Sequence, residues 1–435
     1  MASELVGGLM LLVMIVLTML RVPIFLSLAI PGILGTLYLK NWNVVISALT
    51  VNIWDASFQY TLSTLPMFIF MGAMLHAAGI TGELFTAFKA WLGRLKGGLG
   101  YATIGASTLF AAASGSSIAN TGTIGLMASQ EMLKAGYSKM LTSGSIVAGG
   151  TLGILIPPST FLIVYGMLAD ESIGALLLAG ILPGIILALS YVMTVYLAVT
   201  LSKKMAPPAT SSAWREKLAA LKSTGAIIFI FAVVIGGMFF GFFGPTEAAG
   251  MGAVSAVAVT VAKKKFTWKT FMEAVRNTAL TCGYMFAIIL AAYIYKYVIV
   301  LSKFPVWITT EIAELNVSKL ALFSLIVLMY VILGAFMDAM AMVMVTVPVV
   351  VPVIESLGFD LIWFGIVLCL LVEMALISPP QGMNGFVLNS VAPELGLKEI
   401  WKGSLLFMIP IFFVVVLLYL FPQIAMVLPN LMMTR

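Results

Sequence analysis

Two short polar interruptions lie inside membrane-length apolar sequence, and their residue types suit the binding of small ions. The first is Ser114-Gly115-Ser116-Ser117, running on to Asn120. The second runs from Gly334 to Met340 and contains Asp338. Each is followed by a proline pair, Pro157-Pro158 and Pro379-Pro380. Asp338 follows Ser116 by the same number of positions as Pro379 follows Pro157, so one shift superimposes both sets. Broken helices at matching places in two halves of a membrane chain point to a carrier's binding site near the bilayer midplane.

A half-helix ending at Ser114 leaves carbonyls unpaired. A second one starting near Ile118 leaves N–H groups unpaired, with Ser116 or Ser117 available as its N-cap. Carbonyl and hydroxyl oxygens suit a hard cation such as Na⁺. The N–H groups and the positive helix end suit an anion. Ser and Gly also allow close helix packing with no ligand at all, and for this motif alone that alternative stays open. Pro157 and Pro158 lack N–H groups and free carbonyls near Gly153 and Ile154; a plain proline kink is the alternative.

Asp338 is the acid of the second interruption. A carboxylate inside a bilayer costs roughly 2.5–3.5 kcal/mol on insertion scales, which makes it a functional candidate by default. It could neutralise a bound Na⁺, take a proton, or only cap a helix. Downstream, Ser378 to Asn384 supplies freed carbonyls, Gly382 and two side-chain amides. One sodium site is expected from Ser114, Ser116, Ser117 and carbonyls near Gly153 and Pro157. A second is expected from Gly334, Asp338 and carbonyls near Pro379, Gly382 and Met383. An anionic substrate would lie between the tips, held by half-helix N–H groups, Asn384 and Ser159. Thr246 and Glu247 are expected to cap and start a helix. His76, Lys296 and Glu373 are expected to be paired, snorkelling or interfacial, with a proton relay as the alternative.

These residues need apolar elements to position them. The 435 residues are 62% hydrophobic and 9% charged, with mean hydropathy +1.13. Soluble domains carry roughly 25% charge, so the chain is an integral membrane protein whose first partner is the lipid bilayer. It could hold on the order of a dozen crossings of about 20 residues each. Expected spans are 1–20, 23–39, 61–87, 140–168, 173–201, 225–243, 245–262, 277–301, 361–390 and 404–430. Stretches 97–133 and 318–355 hold the interruptions and are expected to be re-entrant helical hairpins. Irregular backbone at that depth survives only against protein or a polar cavity. Met1 to Leu20 has Glu4 and no basic leader, so a first span is expected rather than a cleaved signal. Cys282 and Cys369 have no metal-ligand or disulfide-framework spacing.

Charge sets the orientation. All 23 basic residues except Lys40, Lys296, Lys303, Lys319 and Arg435 fall on one side of this layout. That side is cytoplasmic by the positive-inside rule, which puts both termini outside. The net charge of +6 thus reports topology, and no nucleic-acid partner is expected. The flanks Lys96 and Lys134 bring the first hairpin in from the cytoplasm; Glu314 and Glu355 bring the second in from outside. The expected organisation is scaffold helices in 1–60, a first repeat in 61–201, and a cytoplasmic amphipathic linker in 202–224. A scaffold pair in 225–276 and an inverted second repeat in 277–435 complete it. The fold class is an all-α inverted-repeat, elevator-type carrier with about ten spans and two re-entrant hairpins.

The stretches SGSSIANTGTIG (114–125), EMLKAGYSK (131–139), GTLGILIPPST (150–160), FGPTEAAG (243–250), GAFMDAMAMVMVTVP (334–348) and ISPPQGMNGFVL (377–388) resemble the large membrane subunit of tripartite ATP-independent periplasmic (TRAP) transporters. The resemblance implies a sodium-driven carrier for organic acids working as an elevator, with two or more coupling Na⁺ ions and no organic cofactor. It also implies a separate small four-helix membrane subunit, a periplasmic substrate-binding protein, and a bacterial inner-membrane location. A binding-protein-independent sodium–dicarboxylate carrier is the competing expectation. A channel would line an open pore with its hairpins. Enzyme chemistry has little to work with: one His, no HExxH and no closely paired intramembrane acids.

Overall fold

In a computed structural model of the chain, residues 2–202, 204–207, 214–314 and 317–433 are described, and the secondary structure among them is helical. In chain order the helices are α1 (Ser3–Met19), α2 (Ile24–Leu39), α3 (Trp42–Ser57), α4 (Thr64–Ala77) and α5 (Ile80–Leu92). Then come α6 (Gly98–Ser114), α7 (Ser117–Lys134), α8 (Lys139–Thr151), α9 (Thr160–Ala169) and α10 (Ile173–Leu201). Next are α11 (Trp214–Phe231), α12 (Gly237–Phe239), α13 (Pro245–Ala262), α14 (Trp268–Leu301) and α15 (Phe304–Glu314). The last are α16 (Lys319–Gly334), α17 (Ala339–Ser356), α18 (Leu361–Ile377), α19 (Met383–Val391), α20 (Leu397–Leu420) and α21 (Gln423–Met433).

Small polar side chains start several of the helices. Ser116 accepts from Ala119 N, Ser138 from Leu141 N, and Asp360 from Trp363 N. Such caps contribute about 1 kcal/mol each. They are duplicated between the halves: Ser116 and Ser138 have Asp338 and Asp360 as their shifted counterparts, and all four cap.

Both interrupted stretches double back. Leu99 N at the start of α6 donates to Tyr137 Oη just past α7, at 3.2 Å. Tyr330 Oη of α16 donates to Thr346 Oγ1 of α17 at 2.6 Å, and the Phe323 and Phe359 rings at the hairpin's open end are 6.1 Å apart. The two halves then interlock. Helix α9 packs on α17 of the other half, and α19 packs on α7. Helix α8 lies along α20, and α10 along α18. In α18 every residue but Leu361 is buried, which makes it a central strut. Outside this body α2 packs on α14, and α4 packs on α13 and α14.

Several helix bounds differ from those expected. Stretch 42–57, unassigned from sequence, is α3. Its apolar run is broken up by Asn43, Ser47, Thr50, Asn52 and Asp55, which hide it as a span. The span expected at 61–87 is two helices, because Gly79 takes φ +65° between α4 and α5. The span expected from 225 begins at Trp214 and reaches Phe239 through a π turn at Ala232–Gly236. Residues 203 and 208–213 of the expected linker lie outside the described residues. Stretch 404–430 is divided between α20 and α21 ahead of Pro422, which cannot donate the next helical hydrogen bond. Helix α13 is capped by Gly244 with Pro245 in its first turn, not by Thr246, whose hydroxyl meets Thr64 Oγ1 at 2.8 Å. Glu247 does occupy the first turn, as expected.

Candidate functional site

The first hairpin tip lies on the proline break of its own half, and the second lies on the last turn of α18 ahead of its break. At the first tip Gly115 takes φ +60°, which a glycine adopts without steric cost. A Cβ there would stand 2.6 Å from Pro158 O. Thr160 Oγ1 donates to Gly115 O at 3.1 Å, tying the tip to the start of α9. From the opposite side, a Cβ on Gly153 would lie 2.8 Å from Ser116 C and O, and 3.0 Å from Ser117 N. Ser114, Ser116, Ser117, Gly153 and Pro157 therefore share one small region. At the second tip Gly334 lies against Ala375, with 2.4 Å from a Cβ built on Gly334 to Ala375 Cβ. Both proline pairs carry a cis peptide bond.

The oxygens in these regions are partly committed. Ser116 Oγ caps α7, and Ser116 O accepts from Asn120 N at 3.1 Å. Asp338 caps α17 through Oδ1, accepting from Met340 N at 2.9 Å and Ala341 N at 3.2 Å. Ile154 O, freed by the prolines, takes the Ser159 hydroxyl and the Cys369 thiol. Ser159 also accepts from Leu162 N, so its hydroxyl serves as the cap of α9. Gly382 N donates to Ser378 O at 2.7 Å, Pro379 is half-buried, and Met383 is 36% exposed as the first residue of α19.

Asn384 joins the two halves. Its Nδ2 donates to Ser117 Oγ at 2.6 Å and to Val147 O at 3.5 Å, while its Oδ1 has no partner. Asn120, which sequence reasoning did not place in the site, behaves similarly. Its Nδ2 bonds Ser107 O and Gly149 O, and its Oδ1 is left over. Thr121 Oγ1, beside Gly150, is likewise buried without a partner. A polar residue next to a polar break, inside apolar sequence, is the signal that would have found both.

Of the lone polar residues, Lys296 is paired, with Asp170 Oδ2 at 2.9 Å and Leu168 O at 3.0 Å. His76 Nδ1 meets Thr123 Oγ1 at 3.2 Å. Glu373 is neither paired nor interfacial. It is fully buried, and among the described residues both carboxyl oxygens lack a partner. Its position on the central strut α18 overrides what its charge suggested.

Comparison with known proteins decides the family. Residues 11–424 match the family described as tripartite ATP-independent periplasmic transporter, DctM component. The chain belongs to this family. It is the large membrane subunit of a TRAP transporter, a multi-pass membrane protein and not an enzyme. It is 31% identical to the sialic acid TRAP transporter permease protein SiaT of Haemophilus influenzae, over 97% of this chain and 68% of that one. It is 32% identical to the C4-dicarboxylate TRAP transporter large permease protein DctM of Pseudomonas aeruginosa, over 93% and 94% of the two chains. The crystal structure of the Alcanivorax borkumensis YdaH transporter shares the fold, with TM-score 0.61 at 14% identity over 88% of this chain and 90% of that one.

Proposed function

We propose that this TRAP subunit is a sodium-coupled, elevator-type carrier that takes up an organic acid handed over by a periplasmic binding protein. Two observations support it. Relatives are named for sialic acid and for C4-dicarboxylates, which both bear carboxylates, and the site offers oxygens and helix N-termini together. The observation that carries the proposal is the docking of the first tip onto the proline break of its own half, with Asn384 bridging to Ser117. One Na⁺ is taken by Ser114, Ser116, Ser117 and backbone near Gly153 and Pro157. The other is taken by Gly334, Asp338 and backbone near Pro379, Gly382 and Met383. Oxygen-only surroundings suit a hard monovalent cation. The substrate carboxylate lies between the tips against the N-termini of α7 and α17, where the helix dipole favours an anion, with Asn384 and Ser159 bordering it.

Sodium that orders a tip raises affinity for the substrate beside it, and the substrate raises affinity for sodium by the same factor. The interlocked body of α6–α10 and α16–α20 moves against a static frame that includes α1, α2 and α13. A small four-helix subunit completes that frame, and both termini face the periplasm of an inner-membrane protein. The test is uptake into proteoliposomes holding this chain, its small subunit and its binding protein. Ser116→Ala and Asp338→Ala should each shift the sodium dependence. Asp338→Asn, which keeps the cap of α17, separates ion binding from helix stability. Sodium curves like wild type in all three variants would reject the proposed ligands.

A further inference from the structure

Glu373 lies deep inside the carrier, on α18 one turn from Cys369, and belongs to neither set of tip residues. We propose that Glu373 binds one monovalent cation, a proton or a sodium ion, in the core where α8, α10 and α18 meet. The side chain is 0% exposed, and among the described residues neither carboxyl oxygen has a hydrogen-bond partner. A bare carboxylate in such surroundings is strongly disfavoured, and it persists only when a cation neutralises it.

The surroundings supply a second observation. The shift that relates the two halves pairs Glu373 with Thr151 of α8. Thr151 Oγ1 shares a hydrogen bond of 3.0 Å with Tyr191 Oη of α10. The Tyr191 hydroxyl is close enough to Glu373 to interact with it electrostatically. One half therefore presents a buried hydroxyl pair at the position where the other presents a buried carboxyl. The titratable groups facing Glu373 are Tyr191 and, on its own helix, Cys369. On the other packed helices, Tyr330 of α16 is bonded to Thr346, and Tyr165 of α9 to Leu361 O at the far end of α18. Lys402 and Glu399 pair with each other near the start of α20. No basic side chain among these provides a counter-ion, so the neutralising charge is a mobile one. Binding is a simple association: the carboxylate gains either a proton, giving a carboxylic acid, or Na⁺, giving an ion pair.

This inference needs only that the chain is a carrier, and it stands or falls apart from the tip sites. A hydrophobic carbodiimide reacts with protonated buried carboxyls and tests it on the wild-type chain with its small subunit, in membranes. Mass spectrometry is expected to find Glu373 labelled, with labelling suppressed by rising pH if the ligand is a proton, or by added sodium if it is Na⁺. Sodium protection that persists in the Ser116→Ala and Asp338→Ala backgrounds assigns the ion to Glu373. Uptake by Glu373→Gln, with Glu373→Met as an apolar control of similar length, gives the second readout. A proton site predicts that wild-type uptake changes by up to about tenfold per pH unit beyond its titration point and that both variants flatten the profile. A sodium site predicts one Na⁺ fewer per substrate in both. Labelling indifferent to pH and sodium overturns the proposal, as do folded variants with the wild-type pH profile and sodium stoichiometry.

Discussion

Replacing Gly153 with alanine probes the contact between the first tip and its proline break. The added Cβ would stand 2.8 Å from Ser116 C and O and 3.0 Å from Ser117 N. Ordinary contacts begin near 3.4 Å, so the tip must retreat by about half an ångström or bend its neighbours. Overpacking of this kind costs about 1–3 kcal/mol, and both neighbours are backbone, which cannot swing aside as a side chain would. Taking about 1–2 kcal/mol at the tip, the docked arrangement that sodium needs is lost by a factor of roughly 5–30. The half-saturating sodium concentration for uptake should rise by that factor, while the protein still elutes as a folded species from size exclusion. Gly283→Ala is the control, since a Cβ there meets nothing within 4 Å. A folded Gly153→Ala variant with a sodium midpoint within about twofold of wild type would show that tip docking and ion binding are independent.

Asn384→Ala removes the bond from α19 to Ser117 Oγ; a lost buried hydrogen bond costs about 0.5–1.5 kcal/mol, so apparent substrate affinity in uptake assays should fall about 2- to 10-fold, and an unchanged KM would refute a role for this bridge. Glu83 lies on α5, beyond the apolar span that ends at Ala77, and accepts from both Lys263 and Lys265. Burial pushes its carboxyl up, but the two lysine hydrogen bonds outweigh that and hold it below the ordinary value. A depressed carboxyl stabilises the fold above its unfolded value of about 4.3 and loses that contribution as pH falls through the folded one. Glu83→Gln should therefore cost about 1 kcal/mol at neutral pH and converge with wild type in thermal melts on acidification; a constant difference down to strong acid would refute the assignment.

The sequence by itself determined much of the architecture. Apolar length, the placement of basic residues and one shift relating Ser116 and Pro157 to Asp338 and Pro379 are local properties. Helix breaks follow from proline's missing N–H and from capping side chains, which act within a turn. The helix breaks and the candidate caps Ser116 and Asp338 were legible for that reason. The family motifs were legible as strings of residues, before any coordinate.

Only the tertiary structure decided which helix each break would meet. Asn384 was a side-chain amide in a motif until α19 crossed to α7 and set it against Ser117. Ser159 was a free hydroxyl until Ile154 O and Leu162 N occupied it. Glu373 gives the sharpest contrast. In sequence it is one charge within an apolar span, and its neighbours in the chain do not say what surrounds it. Burial comes from α8, α10 and α20, which are distant in sequence and packed around α18. A residue's electrostatic cost depends on everything within a few ångströms in space, and spacing along one chain reports only the part supplied by its own helix.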